Sequence, residues 1–288
     1  GGYTMRKSIS MKPFHKLAIV GVGIAGALIS GSVQASAPEP WQIGMQPAAG
    51  SIAEKANDLH NLLLVIITAI SLFVLALLIY TCFRFRESRN AVPSKTTHNP
   101  LIEVLWTVIP VIILVVIAVP SFRLLYYQDR TDETDMVIKV TGAQWYWNYE
   151  YPDEQIAFDS YMIDEEDLTE GQMRLLEVDN PMVVPEGTRI KLLIQGNDVM
   201  HSFFVPALAV QNYTVVGRTN ETWIDVPMGE TTYYGQCNQI CGTNHSYMPI
   251  VVKAVSADAY KAWLDEAKQE FATGPVSAAT VELASVQQ

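Results

Sequence analysis

The chain has 288 residues and a formal net charge of −11, a length that fits one or two domains. The acid surplus excludes nucleic acid as a partner, because a polyanion would be repelled. An apolar share of 49% predicts membrane segments in an otherwise globular chain.

Residues 1–35 read as an N-terminal extension and a cleavable signal peptide. Gly1 to Thr4 precede the first Met. Lys12 and Lys16 lead into an apolar stretch, Leu17 to Ile29, that ends near Ala35-Ser36-Ala37. A basic start, a short apolar middle and small residues at the end have the form of a secretory signal. Cleavage is expected after Ala35, because a cut after Ala37 would leave Pro38 next in line. An external segment, 36–60, follows.

Residues 61–128 read as a transmembrane hairpin. Leu62 to Phe83 carries no charge and is long enough to span a bilayer. Val104 to Pro120, extended by Leu101, Ile102, Leu124 and Leu125, forms the second span. Pro110 lies inside it, which membrane helices tolerate. Buried core helices are the alternative, and length and lack of charge argue against them. The loop at about 84–100 holds Arg84, Arg86, Arg89 and Lys95 against Glu87 alone. Positive charge in a short loop marks the cytoplasmic side, so both chain ends are expected outside. Trp106, Tyr126 and Tyr127 fall near span ends, where aromatic rings favour the interface.

From Asp129 onward, 25 Asp and Glu stand against 9 Lys and Arg, a net of −16. Solubility is one reason for this surplus; a docking surface for a basic partner is another. Residues 129–255 read as a β domain. Met136–Val140, Met173–Val178, Arg189–Ile194, Thr222–Val226 and Ile250–Ala254 alternate or are rich in Val and Ile. Turns such as Pro185-Glu186-Gly187 and Pro227-Met228-Gly229 separate them. This spacing predicts an all-β sandwich or barrel, with His201 on a strand and Cys237–Met248 in a loop. A helix over 256–271 follows, with Ser256 at its N-cap and Tyr260, Trp263, Leu264, Ala267 and Phe271 on one face. Residues 272–288 read as a flexible tail.

The chemistry concentrates in Cys237-x₃-Cys241-x₃-His245-x₂-Met248, with His201 upstream. Two thiolates, two imidazoles and a thioether are soft ligands that suit copper. There is one thiolate more than a single blue-copper ion uses, and two thiolates can bridge two metals. A Cys237–Cys241 disulfide is the first alternative. Structural zinc is the second, although zinc makes no use of Met248. Trp145, Trp147, Tyr149 and Tyr151 alternate as on a strand and could simply fill a sheet face. Glu103 lies near the cytoplasmic end of the second span, where an ionisable group is a functional candidate. His15, His60 and His98 lack neighbouring ligands, and Cys82 reads as an inert apolar residue.

The run from Tyr234 to Ile250, YGQCNQICGTNHSYMPI, strongly resembles the copper loop of cytochrome c oxidase subunit II. Gln144-Trp145-Tyr146-Trp147, Leu176 to Asn180 and Val199 to Phe203 match the same family. The resemblance covers about residues 50 to 270. It implies a membrane-anchored all-β chain: a two-helix hairpin followed by a cupredoxin-like domain with the dinuclear CuA centre. By resemblance Cys237 and Cys241 bridge two coppers. His201 and His245 bind one each, Met248 is a weak ligand, and the backbone carbonyl of Gln239 completes the set. Trp145 is then the residue that receives the electron, and Glu150, Asp179 and Asp198 face cytochrome c. Glu103 would lie at the mouth of a proton path. The implied partners are subunits I and III, cytochrome c and membrane lipids. Electrons would pass to haem in subunit I, where O₂ is reduced. The implied place is the bacterial inner membrane, with the copper domain periplasmic.

Two departures stand out. The family commonly has Glu at the position of Gln239, where the carboxylate binds magnesium or manganese at the subunit I interface. A neutral amide is a weaker ligand for a hard cation. Tyr213 to Arg218 also lacks the acid and the proline common in the family at that point. Three other copper proteins compete with this reading. Two membrane helices argue against the copper domain of nitrous-oxide reductase. The intact ligand set argues against the quinol oxidases. An enclosed five-side-chain site argues against a copper chaperone, which must release its metal.

Overall fold

The computed structural model describes residues 36–131 and 133–273. The signal peptide and residues 274–288 of the expected tail lie outside these.

Helix α1 spans Ser51–Arg84 and helix α2 spans Pro100–Gln128, both long and apolar enough to cross a membrane. Ser51 Oγ lies 2.7 Å from Tyr127 Oη, so the start of α1 meets the end of α2 in an antiparallel hairpin. Most of the apolar side chains along both helices are exposed, as lipid- or partner-facing positions must be.

Helix α1 starts ten residues before the expected hairpin boundary at 61. Apolar content marks only the part in the bilayer, whereas its first turns, with Glu54, Lys55 and Asp58, are polar. Its N-terminus is capped from a distance. The Ser51 N–H donates to Asp225 Oδ2 at 2.7 Å, across 174 residues. Gly50 has φ of 84°, and a Cβ there would collide with the Asp225 carbonyl and carboxylate. Glycine lets the two chains approach.

The remainder is a sandwich of two five-stranded sheets. One sheet holds β1 (Met136–Ala143), β2 (Tyr146–Tyr151), β3 (Ile156–Ser160), β5 (Arg189–Gly196) and β8 (Asn220–Asp225). Its order is β3-β2-β1-β5-β8. The other sheet holds β4 (Met182–Pro185), β6 (His201–Val205), β7 (Val210–Thr214), β9 (Thr231–Cys237) and β10 (Pro249–Val255). Its order is β4-β10-β9-β6-β7. Each sheet contains one parallel pairing, β1 with β5 and β10 with β4.

Alternation builds the core. Trp147, Tyr149 and Tyr151 of β2 face inward, as do Ile190, Leu192 and Ile194 of β5, all fully buried. Helix α3 (Ala257–Glu270) closes one end of the sandwich, with Trp263 against Tyr151 and Phe158. Ser256 occupies its N-cap position without a side-chain capping bond. Its backbone N–H donates instead to Glu230 Oε1 at 3.1 Å.

Two expectations need correction. Met173–Val178 is not a strand; it lies in a turn-rich connection with Leu175 at φ 64°. Its apolar side chains Met173 and Leu176 instead pack on Tyr234 and Val251 from outside the second sheet. Ala272 and Thr273 are also not free tail. Ala272 bridges Ile156, and the Thr273 N–H donates to the Gln155 carbonyl at 2.9 Å.

Candidate metal centre

The ligand residues come together at one end of the second sheet. His201 opens β6, Cys237 ends β9, and Cys241, His245 and Met248 follow in the loop that leads into β10. Pairing of Phe203 with Cys237 fixes β6 beside β9 and brings His201 to Cys237. His201 Nδ1 lies 4.0 Å from Cys237 Sγ, and His245 Nδ1 lies 3.6 Å from Cys241 Sγ. The two sulfurs are 3.8 Å apart. Met248 Sδ is 3.6 Å from Cys241 Sγ, and the Gln239 carbonyl oxygen is 3.3 Å from Cys237 Sγ. His201, Cys237, Cys241 and Met248 are buried; His245 and Gln239 are half-buried. Donor atoms of His201, Cys237 and Cys241 lie within 4.8 Å of one another.

The separation of 3.8 Å leaves both cysteines free, since a disulfide bond is about 2.05 Å long. The donors also exceed the four that a tetrahedral zinc ion takes. Two imidazole nitrogens, two sulfurs of cysteine, one thioether and one carbonyl are enough for two soft ions. Each thiol sulfur has an imidazole nitrogen within 4.0 Å.

Surrounding residues set the ligands. The Asp198 carboxylate accepts three hydrogen bonds: from His201 Nε2–H at 3.0 Å, the Gln144 N–H at 2.7 Å and the Val199 N–H at 2.6 Å. A carboxylate only accepts, so Nε2 carries a proton and Nδ1 is the nitrogen turned toward the sulfurs. The ring approaches β1 so closely that a Cβ on Gly142 would come within 3.1 Å of it. The carbonyl of Cys241 accepts from Gln144 Nε2–H at 2.8 Å and from Trp145 Nε1–H at 3.2 Å. Trp147 Nε1–H donates to the Met248 carbonyl at 3.1 Å, and its ring meets His201 edge-on.

Electrostatics follow from this packing. Burial opposes ionisation of Cys237, but hydrogen bonds from His201 and from the backbone outweigh it and lower the pKa. Burial raises the pKa of Cys241, and the neighbouring Cys237 charge raises it further. Burial disfavours charge on His201, yet Cys237 and Asp198 hold its pKa above the ordinary value. Burial works against the Asp198 carboxylate too; its hydrogen bonds from His201, Val199 and Gln144 lower its pKa overall.

The other residues singled out in the sequence have separate settings. Trp145 is half-buried and leaves the inward stripe of β2, lying over Cys241 and Gly242. Glu150 is ion-paired with Lys139 at 2.9 Å. Asp179 accepts from the Tyr161 and Asn180 N–H groups at 2.8 and 2.6 Å. Glu103 sits in the first turn of α2, where its Oε1 accepts the Asn99 N–H at 3.2 Å. Asn99 Oδ1 in turn accepts the Ile102 N–H at 3.3 Å, which makes the pair a helix cap. The sequence marks Gln144 only as part of the Gln144–Trp147 run, with no sign of its bond to Cys241, and gives no sign of Gly142. The Asp198–His201 spacing of three residues was the readable sign of an oriented imidazole.

Comparison with known proteins agrees. The family description "Cytochrome C oxidase subunit II, periplasmic domain" matches residues 136–255, and "Cytochrome C oxidase subunit II, transmembrane domain" matches 38–124. A probable cytochrome c oxidase subunit 2 of Rickettsia bellii is 48% identical over 262 residues, 91% of this chain and 96% of that protein. Cytochrome c oxidase subunit 2 of Arabidopsis thaliana is 47% identical over 235 residues, 79% of this chain and 90% of that protein. The solved periplasmic domain of subunit II of cytochrome oxidase from Bradyrhizobium japonicum is 41% identical. It covers 50% of this chain and 100% of its own, with a TM-score of 0.46. With its two apolar helices, its β-sandwich and its cluster of copper-compatible donors, the chain belongs to the cytochrome c oxidase subunit II family.

Proposed function

We propose that this chain is the electron-accepting subunit of its oxidase, and that its site holds the dinuclear copper centre CuA. One observation carries the reading: six donor atoms converge, and each of two sulfurs 3.8 Å apart has its own imidazole at 3.6 to 4.0 Å. His201, Cys237, Gln239 through its carbonyl, Cys241, His245 and Met248 would hold two copper ions, which would supply one-electron redox chemistry. The chain's own residues supply the rest. Asp198 orients His201, and Trp147 anchors the Met248 backbone. A ligand set locked by such outer hydrogen bonds reorganises little when charge changes.

Trp145 is the proposed point of electron arrival from cytochrome c. Its indole N–H reaches the carbonyl of ligand residue Cys241, a direct polar contact between the surface aromatic and the centre. The electron would pass on to haem in subunit I, where O₂ is reduced to water. The acid surplus of −16 after Asp129 supports docking of a basic partner. Glu150, Asp179 and Asp198 take part through that field, though all three also hold local contacts. Glu103 combines a helix-capping bond with the proposed mouth of a proton path. Subunit III completes the complex. The hairpin would sit in a bacterial inner membrane with the sandwich on the periplasmic side.

The test is metal content with spin resonance on the purified oxidase. Two coppers per chain, beyond any copper in subunit I, and an unpaired electron shared over two copper nuclei are expected. One zinc per chain would refute the reading. So would retention of the shared signal in Cys237→Ser or Cys241→Ser.

A further inference from the structure

Arg123 lies near the outer end of α2, and no carboxylate pairs with it among the described residues. A cation on a membrane helix is costly without a partner and marks a functional position. It borders an open groove between α1 and α2 of about 580 Å³. Across the groove stands Lys55, also without an ion pair among the described residues. Its ammonium rests 4.7 Å from the centre of the Tyr127 ring. Asp58 is the one acid in the lining, so the rim carries a net charge of +1. The floor, inward of the two cations, is different in kind: Leu59 and Leu62 from α1 and Pro120 from α2.

Order along the hairpin matters. Lys55 precedes Leu62 by seven residues, about 10 Å along a helix. The charged rim therefore lies toward the β-sandwich, and the apolar floor runs inward along the hairpin. A ligand that fits must be anionic at one end and aliphatic at the other. A small anion would leave the floor empty. An acidic side chain from another subunit would satisfy the rim but carries no long aliphatic part.

We propose that this groove binds one monoanionic glycerophospholipid, with its phosphodiester between Lys55 and Arg123 and an acyl chain along Leu62 and Pro120. One negative charge then neutralises the rim. This rests on the hairpin spanning a bilayer. Retention of the chain in the membrane pellet through an alkaline carbonate wash checks that premise separately, and a chain that washed off would remove both claims.

The experiment uses the intact purified oxidase, stripped of lipid in detergent. It is titrated with dioleoylphosphatidylglycerol while native mass spectrometry counts bound lipids. Wild type should hold one phosphatidylglycerol that Lys55→Gln/Arg123→Gln binds about thirtyfold more weakly, the combined attraction of two cations at a membrane surface. Leu62→Trp keeps both charges but fills the floor, and it should lose the same lipid. It carries the test if the charge variant fails to assemble. An unchanged copper spectrum in each variant shows that the site above is intact. Equal lipid retention in wild type and Leu62→Trp, or dioleoylphosphatidylcholine binding as tightly as phosphatidylglycerol, would overturn the proposal.

Discussion

Asp198 decides which nitrogen of His201 faces Cys237, because its carboxylate accepts from Nε2–H at 3.0 Å. The same carboxylate holds the backbone of Gln144, so the Trp145 turn and a ligand imidazole share one support. Removing it with Asp198→Ala should lower copper affinity about 10–100-fold, the usual cost of losing such an outer partner. Competition for copper against a chelator of known affinity measures this. An affinity equal to wild type would show that packing alone orients His201.

Trp145→Phe should slow electron transfer from cytochrome c while the copper absorption spectrum stays as it was. The spectrum is protected because Gln144 still donates to the Cys241 carbonyl at 2.8 Å. Association should weaken with added salt equally in both proteins, since screening over about 8 Å acts on the acidic surface and not on the indole. Stopped-flow mixing at several ionic strengths separates the two effects. A variant that transfers electrons at the wild-type rate would remove Trp145 from the path.

Gln239 presents its carbonyl to the site, 3.3 Å from Cys237 Sγ, and that contact does not depend on the side chain. Gln239→Glu should therefore keep the copper spectrum and tighten manganese binding at the subunit interface, because a carboxylate is the better ligand for a hard cation. A manganese titration followed by spin resonance checks both halves. Equal manganese affinity would mean that position 239 does not reach the ion.

Asp225 caps α1 from the sandwich, so Asp225→Ala should cost about 0.5–2 kcal/mol, the range for losing a capping acceptor. Gly50→Ala should cost more, because it combines a left-handed backbone with a direct collision. The midpoint of thermal unfolding reports the loss, and protease sensitivity near residue 50 should rise with it. Neither change should alter the copper spectrum. A resistant Gly50→Ala would show that the two parts are held elsewhere.

The donor cluster was readable because chemistry and spacing coincide: Cys237, Cys241, His245 and Met248 lie close together in one stretch of chain. The two spans were readable from composition, and the inward stripes of β2 and β5 from alternation. What escaped depends on distant partners. No local signal tells that Ser51 is capped by Asp225, 174 residues away. Met173–Val178 alternates like a strand, yet its strand pairing is a single bridge from Val178 to Met162, and Met173 and Leu176 are held by side-chain packing. Asp198 is an acid in an acidic domain, so charge counting sees a docking group. Only its place in the turn three residues before His201 brings it to the imidazole.

The loop that holds four of the six donors is closed at both ends by strands whose pairing partners were made earlier in the chain. Strand β9 waits on β6, and β10 waits on β4, Met182–Pro185, with which it runs parallel. A nascent chain halted at residue 240 would own His201 and Cys237 but nothing to hold them in register with Cys241, His245 and Met248. The donor cluster is therefore complete only once the chain has passed Met248 and β10 has found β4.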